Sequence, residues 1–228
     1  MGLTVHYRLR YGEAPARTAR ALVEELRRRA VKLPLHRVGP IMVYACGGLH
    51  GSDGQPEWFR AILDLLSLER SDYIVSPERA YAFEVHPGRG AETASFGLLR
   101  YPRTIKLPSG RRVATRKSGW LWRDFCKTQY ASNPRYGGLE NFRRCHLALI
   151  ALLDEAADVG LRTEVTDESG FATRRDLENL DQEIAQWNEL IAGFVGRLKD
   201  ALGGECDAPI ARFPNFEHLE ARGRKRTS

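Results

Sequence analysis

The 228-residue sequence predicts an α+β fold: a single domain with an antiparallel or mixed sheet, helices packed on it and a long C-terminal amphipathic helix. Three observations carry that expectation. The chain opens with a β-α-β pattern. Short alternating segments separated by turn residues follow as far as residue 115. Apolar residues in the last third recur at three- and four-residue spacing. Residues 1–220 then form the domain, with 1–115 mainly sheet-forming and 116–220 mainly helical. Residues 221–228 read as a basic, disordered tail.

In residues 3–11 the apolar side chains of Leu3, Val5, Tyr7 and Leu9 alternate with polar ones, the period of a half-buried strand. Pro15 suits a helix start, and Leu22, Val23, Leu26 and Ala30 share one helical face before Pro34 ends the segment. Residues 38–46 give a second strand, compatible with half of a ferredoxin-like unit. A glycine-rich loop, 47–54, has neither the Gly-x-Gly-x-x-Gly order nor a Walker lysine and reads as a connection. Trp58, Phe59, Ile62, Leu63, Leu65 and Leu66 after Pro56 make a short helix. Strands are expected at 73–75, 80–85 and 95–101, and a hairpin where 104–107 and 112–115 flank Pro108-Ser109-Gly110. Residues 139–159 are helical and stop at Gly160. Thr173 three residues before Asp176 resembles a capping box. Leu177, Leu180, Ile184, Trp187, Ile191, Phe194 and Leu198 continue as a helix of about 28 residues, or ~42 Å. Its seam fits a coiled coil or a helix lying across a sheet, and Gly193 and Gly196 favour close approach to another element. Gly203-Gly204 ends it, and residues 208–213 are expected to return as a strand.

Composition excludes several classes. Hydrophobic residues are 43% and charged residues 28%, values that fit neither collagen-like nor disordered chains. The longest apolar runs, 41–46 and 147–153, fall far short of the ~20 residues that span a bilayer. His6, Arg8 and Arg10 stand where a signal peptide would carry its apolar core, and His6 also breaks the myristoylation pattern. Cys46, Cys126, Cys145 and Cys206 form no Cys-x-x-Cys pair, so free thiols in a reducing cytoplasm are expected. No Gly-x-Ser-x-Gly, His-Glu-x-x-His, Walker or EF-hand motif is found, and no cofactor is implied. The spacing of Cys126, Cys145 and His146 matches no common zinc pattern, so no metal is implied either.

Net charge is +6, but it is unevenly spread. Residues 100–144 carry twelve Lys and Arg against Asp124 and Glu140, a net +10. Residues 145–220 carry six basic and sixteen acidic residues, a net −10, and the tail adds +4. Tyr101, Trp120, Trp122, Phe125, Tyr130, Tyr136 and Phe142 interleave with the basic block. Cations among aromatics can follow a phosphate backbone and stack on bases; the same charges can instead pair with the acidic helices.

Three function classes follow. In the first, residues 118–146 build a polar, aromatic pocket for an anionic small molecule. Trp120, Trp122, Arg123, Lys127, Gln129, Tyr130 and Asn141 are its ligand-binding candidates. Cys126 as nucleophile, His146 as base and Asp167 (or Glu168) as completing carboxylate are the catalytic candidates, with Arg123 and Lys127 placed to depress the thiol pKa. Asn141 behind Gly137-Gly138 could hold an anion at a helix start. In the second class the basic block binds nucleic acid, through Arg111, Arg112, Arg116 and Lys117. In the third, the basic and acidic halves pair between protomers of a homo-oligomer.

Overall fold

The computed structural model describes residues 3–45, 55–70, 73–202 and 207–226. The glycine-rich loop 47–54, Cys46, Cys206 and Gly203-Gly204 lie outside the described residues. The strands are β1 (Thr4–Tyr11), β2 (Arg37–Val38), β3 (Met42–Ala45), β4 (Leu68–Arg70), β5 (Tyr73–Val75), β6 (Arg79–His86), β7 (Ala94–Arg100), β8 (Thr104–Lys106), β9 (Arg112–Ala114), β10 (Trp120–Lys127) and β11 (Arg162–Asp167). The helices are α1 (Ala16–Ala30), α2 (Glu57–Leu65), α3 (Gly138–Asp158), α4 (Phe171–Arg174), α5 (Leu177–Leu202) and α6 (Phe216–Arg226). The α+β class is as the periodicity predicts.

The main sheet runs β11-β1-β10-β7-β6-β2, with β3 also on β6, and each pairing is antiparallel. The opening β-α-β is present, but β1 and β2 are parallel strands with β10, β7 and β6 between them. A second crossover, β10-α3-β11, straddles β1 in the same manner. β10 is therefore central to, and β11 an edge of, a sheet that the sequence places mainly before residue 115. β10 lies inside the basic segment and β11 between two helices.

Alternation on β1 sends Val5, Tyr7 and Leu9 inward and leaves His6, Arg8 and Arg10 exposed. β10 has the same parity: Trp120, Trp122 and Cys126 are buried, and Arg123 and Phe125 are exposed. The inner face is covered by α1, through Ala19, Val23, Leu26 and Ala30, and by α3, through Phe142, Cys145, Leu149 and Leu153. β7 is buried on both faces, whereas the outer face over β11, β1 and β10 is open. α2 ends at that open region, where Arg123 Nη2 donates to the Leu65 carbonyl at 3.3 Å.

The C-terminal part departs from expectation in three places. α5 does not lie across the sheet; it packs along α6, with Ile191, Ala192, Val195, Ile210, Phe213, Phe216 and Leu219 as a second small core. Residues 209–212 form a 3-10 turn and not a strand, because Pro209 cannot donate to a ladder. Finally, residues 221–226 are the end of α6 and not a disordered tail. Their cations explain the order: Arg222 and Arg226 both bind the buried Glu189 at 2.6 Å, and Arg224 reaches Asp200 at 2.8 Å. Gly193 and Gly223 let the two helices touch backbone to backbone; a Cβ at Gly193 would stand 2.7 Å from the Gly223 carbonyl carbon.

Gly193→Val is accordingly expected to lower unfolding stability by about 1–3 kcal/mol in a denaturant titration. Gly12→Ala, where an added Cβ meets nothing within 4 Å, is the control expected to change little.

Candidate functional site

The polar residues after Trp122 are largely consumed by the fold. Trp120 Nε1 donates to Ala14 O and Trp122 Nε1 to Ser95 O, both at 3.0 Å, so both indoles are satisfied core groups. Gln129 is fully buried: its Oε1 accepts from Leu3 N at 3.0 Å and its Nε2 donates to Asn188 Oδ1 at 3.1 Å. Asn141 Nδ2 donates to the Arg89 and Ala131 carbonyls, while the Gly137 and Gly138 amides are taken by Pro134 and Asn133. Tyr130 packs against the second core.

Of the catalytic candidates, His146 and Asp167 come together and Cys126 bonds elsewhere. Cys126 is buried, its Sγ donates to Glu92 O at 3.1 Å, and burial pushes the thiol up, away from the thiolate that a nucleophile needs. His146 faces other partners. Its Nδ1 lies 2.9 Å from Thr128 Oγ1, and its Nε2 lies 3.3 Å from both Asp167 Oδ2 and Ser169 Oγ. Ser169 Oγ lies 2.8 Å from both Asp167 oxygens, and Ala172 N donates to Oδ2 at 2.9 Å. Burial opposes ionisation of Asp167, but the hydrogen bond and field of His146, with the Ala172 and Ser169 donors, hold its pKa at about 2. The His146 and Asp167 side chains are 0% and 1% exposed, so the cluster ties β11 to α3 and meets no solvent. Glu168 is also structural, accepting from Thr4 N at 2.9 Å. Among the described residues no group of three or more His, Cys, Asp or Glu could hold a metal ion.

Two groups of exposed cations lie outside, in two places. The first is the β8–β9 hairpin, which leaves the sheet between β7 and β10. Lys106 and Arg112 stand directly opposite each other on it, an arrangement that repels. Arg111, Arg112 and Arg116 are exposed and Lys117 is half-buried. Among the described residues none of these five cations has a carboxylate partner. Arg103, at the root, pairs with Glu13, and Arg100 pairs with Glu78 while lying over the Trp120 ring. Between them opens a cleft of about 530 Å³, lined in part by Glu13, Arg100, Arg103, Lys117 and Gly119.

The second place is the open sheet face, a groove of about 460 Å³ lined in part by His6, Arg8, Leu65, Arg123, Phe125 and Glu164. Arg8 opposes Arg123 across β1–β10, and Arg10 opposes Arg162 across β1–β11. Arg8, Arg10 and Arg162 share the single carboxylate of Glu164, at 3.3 to 3.8 Å. Phe125, 43% exposed, sits 5.7 Å from the His6 ring. Lys127, at the groove's end, approaches Glu92 at 3.7 Å.

Of the pocket candidates, then, Arg123 and Lys127 reach the outer face, Trp120, Trp122 and Gln129 are internal, and Asn141 is half-buried with its amide taken by backbone carbonyls. His6, Arg8, Arg10, Phe125 and Arg162 are not among the sequence candidates. A signal for them existed: Phe125 is an aromatic at the polar parity of its strand. The two charge halves do not neutralise each other. Arg143–Asp181 is the one ion pair between segments 100–144 and 145–220 among the described residues. Those residues contain no helix long and apolar enough to cross a membrane.

Because Asp167 ionises far more readily in the fold than in the unfolded chain, its contribution is complete above about pH 4 and is lost as pH falls toward 2. Urea unfolding is expected to show the wild type losing about 2 kcal/mol more than Asp167→Asn between pH 5 and pH 2. Equal losses would assign the acid sensitivity elsewhere.

Compared with known proteins, the chain matches no family model, no curated protein and no solved structure.

Proposed function

We propose that the protein binds nucleic acid through the β8–β9 hairpin and the cleft at its root. One observation carries the reading: Lys106, Arg111 and Arg112 crowd a two-stranded ribbon, Lys106 and Arg112 directly opposed, Arg116 and Lys117 follow on the segment from it to β10, and none of the five has a carboxylate partner among the described residues. Such crowding is unfavourable in the free protein and is relieved by a polyanion, whose condensed counterions are released on contact. The acidic helices do not supply that anion: among the described residues no carboxylate of α3 or α5 pairs with these five cations, and Glu189 and Asp200 of α5 are taken by α6. A ribbon of two strands also has dimensions that a nucleic-acid groove admits. Arg111, Arg112, Arg116 and Lys117 supply phosphate contacts in this reading, which give affinity and position with little sequence preference.

Fluorescence anisotropy with a labelled duplex and a labelled single strand checks it. Replacing Arg111, Arg112, Arg116 and Lys117 together by Gln is expected to weaken both complexes on the order of 10- to 100-fold at about 100 mM salt. The slope of log K against log salt should fall by roughly 2–4. Unchanged affinity and slope in the variant, or no binding by the wild type at low salt, would sink the reading.

A further inference from the structure

We infer that the open face of β11, β1 and β10 is a second contact surface, taking a single strand of RNA with one unpaired base on the Phe125–His6 pair. The inference rests on the reading of the hairpin as nucleic-acid-binding and adds what that ribbon lacks, a surface for bases. Phe125 is the out-of-place residue. Its neighbours two positions either side, Arg123 and Lys127, are cationic, and the β10 aromatics at the other parity are buried. An aromatic ring 43% exposed on a polar sheet face, with a second ring 5.7 Å away at a 38° tilt, offers a base a stacking platform. Leu65, 57% exposed, extends the apolar floor.

Charge names the occupant. Arg8 and Arg123 stand opposed beside the platform, Arg10 and Arg162 are opposed one step further along, and Glu164 is the one carboxylate that Arg8, Arg10 and Arg162 share, while Arg123 donates to the Leu65 carbonyl. The backbone of a strand stacked on Phe125 passes these arginines, so the groove supplies both halves of single-strand recognition, a π-face and a cationic track. A duplex hides its base faces and cannot use the platform. Thr166, exposed on the wall, adds a hydroxyl that can hydrogen-bond a 2′-hydroxyl, a group that a deoxyribose lacks. Arg10, Arg162 and Leu121 lie at the end of the sheet from which the β8–β9 hairpin leaves, so one strand can reach both surfaces.

The test uses the full-length protein with a labelled single-stranded RNA, a DNA strand of the same sequence and a duplex. Phe125→Leu is expected to weaken RNA binding by about 5- to 100-fold with an unchanged salt slope, to leave duplex binding within about twofold, and Phe125→Trp is expected to restore RNA binding. Arg8→Gln with Arg123→Gln is expected to lower the salt slope for RNA by about 1. Photocrosslinking of wild-type protein to RNA carrying 5-bromouridine provides a readout independent of any variant, with adducts expected at His6 or Phe125. Adducts confined to residues 104–117, or an RNA affinity indifferent to Phe125→Leu, would overturn the sheet face while leaving the hairpin intact. DNA bound as tightly as RNA would overturn the assignment to RNA. Absence of binding to any of the three would overturn both surfaces.

Discussion

The parity of β1 is the constraint on which the rest depends. This strand is hydrogen-bonded on both edges, to β10 and to β11, so its register fixes which side chains of three strands face α1 and α3. Val5, Tyr7 and Leu9 enter the core only because His6, Arg8 and Arg10 leave it. A slip of one residue would bury three cationic or titratable side chains and expose three apolar ones, a change no local packing could offset. The buried core and the cationic outer face are thus two aspects of one pairing.

The same pairing places charge. Residues that repel across strands, Arg8 with Arg123 and Arg10 with Arg162, are held in opposition by backbone hydrogen bonds and by the apolar face beneath them. Exposed ion pairs contribute little to stability, so Glu164 moderates the repulsion without defining the fold. Elsewhere part of the charge is resolved internally, most completely where α6 surrounds the buried Glu189 with Arg222 and Arg226. Unresolved charge remains on the hairpin and on the open face.

Much of the architecture was legible in the sequence because it is written in local periodicity. Strand β1, helix α1, helix α3, helix α5 and the turn around Gly110 all carry a repeat of two or of three to four residues, or a turn signal. The open face was written there too, as the odd placement of Phe125 against Trp120 and Trp122, but its meaning required knowing that β10 lies beside β1. The polar run from Thr128 to Asn141 misled for a related reason. Its composition resembles a pocket, yet partners distant in sequence such as Leu3, His146 and Asn188 consume its donors and acceptors, and periodicity says nothing about partners more than a few residues away. The ordering of α6 was hidden in the same way, since its cations find their carboxylates on α5.

The β8–β9 hairpin sits between two strands, β7 and β10, that are already neighbours in the sheet. Joining them needs only a tight connection, so the length, charge and reach of this arm are free to vary without disturbing the register on either side. The fold therefore keeps its scaffold and its most cationic projection as separable traits. Selection can reshape the projection while the core beneath stays unchanged.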